Sequence, residues 1–182
     1  MIAAGYMAKV IAPKPEWIRS DTAVRICSVS NCISGDFCDY VHHWKHNGFW
    51  FFNSPADIQA IAESDAKAAK EFTVFYYELY EAQYDDKAGA WISFQPEEAF
   101  QTDVRPPSSK ELLGFDVVTY LAQTSAECSP LSCNNLAEKI PVNESCLLPS
   151  LDEAKQLIES GAFQSSEPGP FRIIAVYKPV SA

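Results

Sequence analysis

The segment "FFNSPADIQAIAESDA" (51–66) lies over "LLPSLDEAKQLIESGA" (147–162), and this self-similarity constrains the fold more than any other feature of the chain. Each copy runs from two bulky apolar residues through a Ser and an acid to apolar residues at helical spacing, then to Glu-Ser and a closing Ala. Ser54, Glu63, Ser64 and Ala66 match Ser150, Glu159, Ser160 and Ala162 at one constant offset. A Ser N-cap followed by an acid at N3 is shared by many capped helices, so the flanks carry the argument. Upstream, "NCISGDFCDY" (31–40) meets "ECSPLSCNN" (127–135), which sets Cys32 against Cys128 and Cys38 against Cys133. Downstream, "FTVFYYELYEA" (72–82) meets "FRIIAVYKPV" (171–180). Charge agrees, since residues 24–84 and 115–178 each hold four basic and eight acidic side chains. A repeat on this scale predicts an internal duplication.

Within the first copy, "AVRICSVS" (23–30) reads as a buried strand and "GDFCDYVHHWKHN" (35–47) as a helix closed by Gly48. "FWFF" follows as a short strand, Ser54 caps a helix with Pro55 at N1, and "FTVFYYELYEAQY" is a long strand. The second copy repeats the order: strand 114–122, helix 129–139, "SCLL" as a short strand, a helix from Ser150 to Ser160 ended by Gly161, and "FRIIAVY" as the last strand. The expected fold is α+β: two similar βαβαβ lobes from an internal duplication, forming a mixed sheet with helices packed on one face. The expected division is an N-terminal segment 1–22, lobe one at 23–84, a connector 85–113 holding the hairpin strand "AWISF" and the Pro-rich "RPPSSK", and lobe two at 114–182.

With 182 residues, 47% of them hydrophobic, the chain can bury a core without staples. Its net charge of −10 repels phosphate backbones and anionic membranes, which argues against nucleic-acid and membrane-surface partners and for a protein partner of basic character. The start "MIAAGYMAKVIAPKPEW" has no basic region ahead of its apolar residues, and Lys9 interrupts them too early for a signal peptide. Either Met1 or Met7 fits as the natural start. No run approaches the roughly 18 apolar residues of a membrane span. The expectation is a cytoplasmic protein, where cysteines stay reduced.

The cysteines admit three readings. With Ser129 as N-cap and Pro130 at N1, Cys128 falls at N′ and Cys133 at N4, the two positions of a hydrophobic staple. Ser34 as N-cap places Cys38 at N4 as well, with Cys32 one residue before N′. Reduced cysteines behave as small hydrophobes, so the staple explains all four. Redox chemistry is the second reading, because a thiol at a helix start feels the helix dipole; against it, no basic residue adjoins Cys128, and Glu127 opposes its ionisation. Zinc is the third, four cysteines being the right number if the lobes face each other, although the spacing is not that of zinc ribbons. Cys38, His42 and His46 also follow at four-residue steps on one predicted helical face, a further metal or thiol–imidazole candidate.

In "FYYELYEAQY", Tyr76, Glu78 and Tyr80 alternate onto one strand face, either as an aromatic binding surface or as a packed layer. The chain holds no phosphate-binding Gly loop, no His-Glu-x-x-His and no nucleophile elbow. The functional expectation is therefore a non-enzymatic acidic interaction protein of inhibitor or immunity type, without cofactor. The rival is a thiol-redox or zinc-dependent enzyme using Cys128 and Cys133, or Cys38 with His42.

Overall fold

A computed structural model describes residues 1–37, 46–64, 72–120 and 126–180. The elements are β1 (Ile2–Lys9), β2 (Ala12–Pro13), β3 (Arg25–Ile26), α1 (Pro55–Ser64), β4 (Thr73–Leu79), β5 (Ala82–Asp85), β6 (Ala90–Ser93), β7 (Lys110–Thr119), α2 (Pro130–Cys133), α3 (Leu151–Glu159) and β8 (Phe171–Pro179), with a 3-10 turn at Leu136–Glu138. The fold is mixed α and β. Among the described residues, no helix is long and apolar enough to cross a membrane.

β8 organises the main sheet. Its sequence "FRIIAVY" is β-branched and aromatic, and Phe171 to Val176 are all buried, so both faces of the strand meet core. β7 pairs along one edge of β8, from Lys110 opposite Pro179 to Thr119 opposite Phe171. β4 and then β5 occupy the other edge, with β1 outside β4 and β6 outside β5. All these pairings are antiparallel, which corrects the expected mixed sheet: β4 and β8, one from each half, meet head to tail in a single sheet. On one face of β7 and β8, Phe115, Val117, Phe171, Ile173 and Ala175 join α3 through Ala154 and Ile158 in one core. Ile174, Val176 and Val118 belong to a second core with Phe49, Phe51, Tyr77 and the α1 residues Ile58 and Ile61.

The two helices matched in sequence form as expected. Ser150 accepts a hydrogen bond from Glu153 N, and Ser54 and Asp57 exchange bonds, Asp57 N to Ser54 Oγ at 3.3 Å and Ser54 N to Asp57 Oδ2 at 3.0 Å.

Other expectations need correction. The strand expected at 23–30 shrinks to the two residues of β3, because its backbone is committed to the second half. Val24 N and Arg25 N donate to Glu144 O, Cys27 N to Ser145 O, and Val29 N to the Asp116 carboxylate. The long first strand is instead β1, inside the segment expected to precede the lobe. Residues 35–37 are not helical: Asp36 bridges to Lys9, Phe37 N donates to Ala8 O, and Ser34 Oγ donates to Ile26 O rather than capping. The remainder of that expected helix, 38–45, lies outside the described residues. "FWFF" and "SCLL" are turns that touch the sheet through single bridges, Phe52 to Tyr6 and Leu148 to Phe115. The helix expected over 129–139 stops at Cys133, and Asn135 then takes a left-handed φ of 55° before the 3-10 turn.

Those two turns are built alike. Asn47 Oδ1 accepts from Phe49 N and Phe51 N while its Nδ2 donates to Ala4 O. Asn143 Oδ1 accepts from Ser145 N and Leu147 N while its Nδ2 donates to Leu113 O. Each turn holds a residue at positive φ, Trp50 at 65° and Cys146 at 60°. Each also abuts a bulge glycine, Gly5 at φ 137° and Gly114 at φ 144°, where a Cβ would sit 2.6 Å from Phe52 O or 2.8 Å from Leu148 O.

Candidate metal centre

Two buried charges in the sheet position the site. Lys9, at the end of β1, is 1% exposed. Its ammonium donates to Val29 O at 2.9 Å, to Ser30 O at 3.1 Å and to Asp36 Oδ1 at 2.7 Å, which fixes the loop after β3 from beneath. Burial pulls the Lys9 pKa down, against the upward pull of Asp36, Asp116 and Cys32.

Asp116, in the middle of β7, is also 1% exposed. Its Oδ2 accepts from Val29 N at 2.8 Å and from Ser129 Oγ at 2.6 Å. Ser129 is the N-cap of α2, but its side chain makes no capping bond; it turns to Asp116 and also accepts from Ser30 N at 3.2 Å. One carboxylate thus ties the loop after β3 to the start of α2. Burial pushes the Asp116 pKa up to about 7, with the Ser129 and Val29 hydrogen bonds and Lys9 pulling the other way.

The segments joined by these anchors carry Cys32 on one side and Cys128 and Cys133 on the other. Their three Sγ atoms lie within 4.8 Å of one another, the one grouping of three or more His, Cys, Asp or Glu ligand atoms among the described residues. Cys32 is exposed, Cys133 half-buried and Cys128 buried. Cys128 Sγ donates to Asn134 Oδ1 at 3.1 Å, Cys32 Sγ lies 3.3 Å from Glu127 O, and Ser30 Oγ is 3.5 Å from Cys133 Sγ. Hydrogen bonds from Cys128 and Cys133, followed by Ser30 and the Lys9 charge, hold Cys32 far below the ordinary thiol range. Interaction with Cys133 and Cys32 pushes Cys128 up.

Two outcomes are chemically open to such a cluster. Four sulfurs bound tetrahedrally at about 2.3 Å from zinc stand roughly 3.8 Å apart, so these three need only a small inward movement to share an ion. A disulfide between any two needs a closer approach, to about 2 Å.

The staple reading is met in part, since Ser129, Pro130 and Cys133 do occupy the N-cap, N1 and last position of α2. The staple nevertheless does not account for Cys32, which comes from the other half. Cys38 and His42 lie outside the described residues. His46 is not in a helix; it is buried, stacks on Trp50 with centroids 4.1 Å apart, and meets Phe100 at 4.1 Å. Cys27 and Cys146 are buried and do not belong to the group of three, and burial raises both thiols, that of Cys146 to about 12.

The Tyr76, Glu78 and Tyr80 strand face is largely packed. Tyr76 is fully buried and donates to Glu78 Oε1 at 3.2 Å. Glu78 pairs with Lys110, whose ammonium sits 4.1 Å from the centroid of the Tyr177 ring and 5.0 Å from that of Tyr76. Tyr80 is half-buried with its ring edge-on to Trp91.

Sequence reasoning missed Lys9, Asp116 and Ser30. A signal existed, because a lone Lys and a lone Asp interrupt otherwise apolar strand runs in "YMAKVIA" and "GFDVVTYL". The basic neighbour that Cys128 lacks in sequence is supplied to its cluster partner Cys32 by Lys9. Compared with protein-family models, with curated proteins and with solved structures, the chain matches none.

Proposed function

We propose that the chain is a thiolate metal-binding protein in which Cys32, Cys128 and Cys133 hold one cation of the zinc class. The observation that carries this reading is the convergence of three sulfurs within 4.8 Å from segments some 95 residues apart. Soft thiolates favour zinc and copper(I) over magnesium or calcium. Three ligands of a tetrahedral four leave one position for water or an incoming group. Bound there, the ion adds a link between the loop after β3 and the start of α2, beside the Asp116 and Ser129 hydrogen bonds, Ser30 with Cys133, and Cys32 with Glu127.

The test is native mass spectrometry of the reduced full chain with added zinc. One ion per chain is expected, lost in Cys32→Ser, Cys128→Ser and Cys133→Ser and retained in Cys146→Ser. Equal zinc uptake by the three cluster variants, or none by the parent, refutes the proposal.

The same reading treats the chain as an internal duplication. The matched Asn47 and Asn143 turns and the matched Gly5 and Gly114 bulges support it. A second reading, the acidic interaction protein, is favoured by Trp17 and Val24, which stand 51% and 60% exposed within the β2–β3 connection, and by the net charge of −10. Affinity capture that returns basic partners, weakened by Trp17→Ala, supports it; partners that are all acidic count against it.

A further inference from the structure

The three thiols do not have equal access to solvent. Cys32 is exposed on a loop, whereas Cys128 is buried and Cys133 half-buried beside α2. An exposed sulfur with two shielded sulfurs within 4.8 Å is the arrangement of an attacking thiol with its resolving partners. We propose that Cys32 is a hydroperoxide-reactive site, resolved by Cys128 or Cys133, so that a peroxide switches the cluster from three thiols to one disulfide and one thiol. The inference rests on the same cluster as the proposed metal site, but its chemistry needs no ion.

Cys32 gives its thiol proton to water and the sulfur attacks one peroxide oxygen; the S–O bond forms, the O–O bond breaks, and the leaving alkoxide or hydroxide takes a proton back from solvent. The product is a Cys32 sulfenic acid, with sulfur oxidised by two electrons and the peroxide reduced by two. A second thiol attacks that sulfur, the S–S bond forms, and its proton leaves with the hydroxyl as water.

Location gives the disulfide its consequence. It would consume two of the three ligands and covalently join the loop after β3 to the start of α2. Metal affinity and peroxide exposure are therefore linked, the oxidised cluster being too poor in ligands to retain an ion. The remaining thiol stays adjacent to the new disulfide and can shuffle it among the three sulfurs, and an external dithiol reduces it by exchange while being oxidised to its own disulfide. Cys27 and Cys146, buried in the core, take no part.

The experiment treats the full chain, reduced and held in chelator, with one equivalent of hydrogen peroxide, then counts free thiols and maps disulfides by mass spectrometry. The expected result is a loss of two thiols per chain in a Cys32–Cys128 or Cys32–Cys133 link, reversed by dithiol. At that dose Cys32→Ser should keep its thiols, and Cys146→Ser should behave as the parent. Oxidation that stops at sulfenic or sulfinic acid, a link that omits Cys32, or loss of thiols in Cys32→Ser at the parental rate overturns the inference. Zinc uptake measured on the untreated protein keeps the two proposals apart. A disulfide without zinc binding leaves this inference standing and sinks the metal reading; zinc binding with thiols inert to peroxide does the reverse.

Discussion

Asp116→Asn isolates one buried charge with little change of shape. Both donors, Val29 N and Ser129 Oγ, converge on Oδ2, so an Asn carbonyl oxygen in that place can accept both. What the substitution removes is the titration. The Asp116 pKa rises from 3.8 to about 7 on folding, because burial disfavours the carboxylate. Between those values the native chain holds a proton that the unfolded chain has released, so the stabilisation is complete below about pH 4 and drains away as pH climbs to about 7. At about 1.4 kcal/mol per pH unit, that rise amounts to roughly 4 kcal/mol by neutral pH. Asn has no such slope. From about pH 5 to about pH 8 the wild type should lose roughly 2–3 kcal/mol more than Asp116→Asn. Urea denaturation of both proteins at the two pH values, in chelator, reads this difference directly. Parallel stability curves would refute the reasoning, since they would mean that Asp116 keeps its charge in the folded state.

Further substitutions test the scaffold. Lys9→Met strips an ammonium from the Asp36 carboxylate and two carbonyls, and breaking a buried pair from one side should cost about 3–5 kcal/mol, or on the order of 10 °C in Tm. The double variant Lys9→Met with Asp36→Asn should recover part of that loss. Gly5→Ala and Gly114→Ala should each cost about 2–4 kcal/mol, because both sit at positive φ and a Cβ would press on Phe52 O or Leu148 O. Near-equal costs are what a duplicated device predicts. Gly35→Ala, with nothing within 4 Å of its Cβ, should stay within about 0.5–1 kcal/mol of wild type. Ser150→Ala removes the N-cap acceptor of α3 and should cost about 1 kcal/mol by thermal denaturation.

Local signals were legible in the sequence where a short stretch determines its own structure. Ser54 and Ser150 cap helices, Pro130 opens α2, and "FRIIAVY" is a buried strand. The residues that failed are those whose backbone partners lie far away. "AVRICSVS" has strand composition, yet its amides go to Glu144, Ser145 and Asp116, which no local pattern can reveal. Conversely β1 lies in the segment 1–22 expected to precede the lobes, where Lys9 reads only as an interruption too early for a signal peptide. That lysine is buried, and its position makes it an anchor. The cysteine pairs stood out by spacing, but the contacts around them are long-range: Asp116 ties the loop after β3 to Ser129 across the halves, and Lys9 holds that loop from β1.

Retaining those two buried ionisable groups runs against stability. An isolated buried ion costs several kcal/mol in lost hydration, and well-packed apolar residues in its place are often neutral or stabilising. Lys9 and Asp116 offset that cost with three and two hydrogen bonds respectively, and all five end on the loop after β3 or on Ser129. Apolar packing alone would be met as well by a Leu at either strand position once the groups paired with it are replaced too. What Leu cannot do is fix the direction of Val29, Ser30 and Ser129, and hence the positions of Cys32, Cys128 and Cys133. Lys9→Met together with Asp116→Leu therefore separates the two demands. If the charges serve the cluster, zinc uptake and peroxide-driven disulfide formation should fall in this variant even where urea denaturation shows the fold intact. An intact fold that keeps both activities would show that the thiols find one another without these anchors.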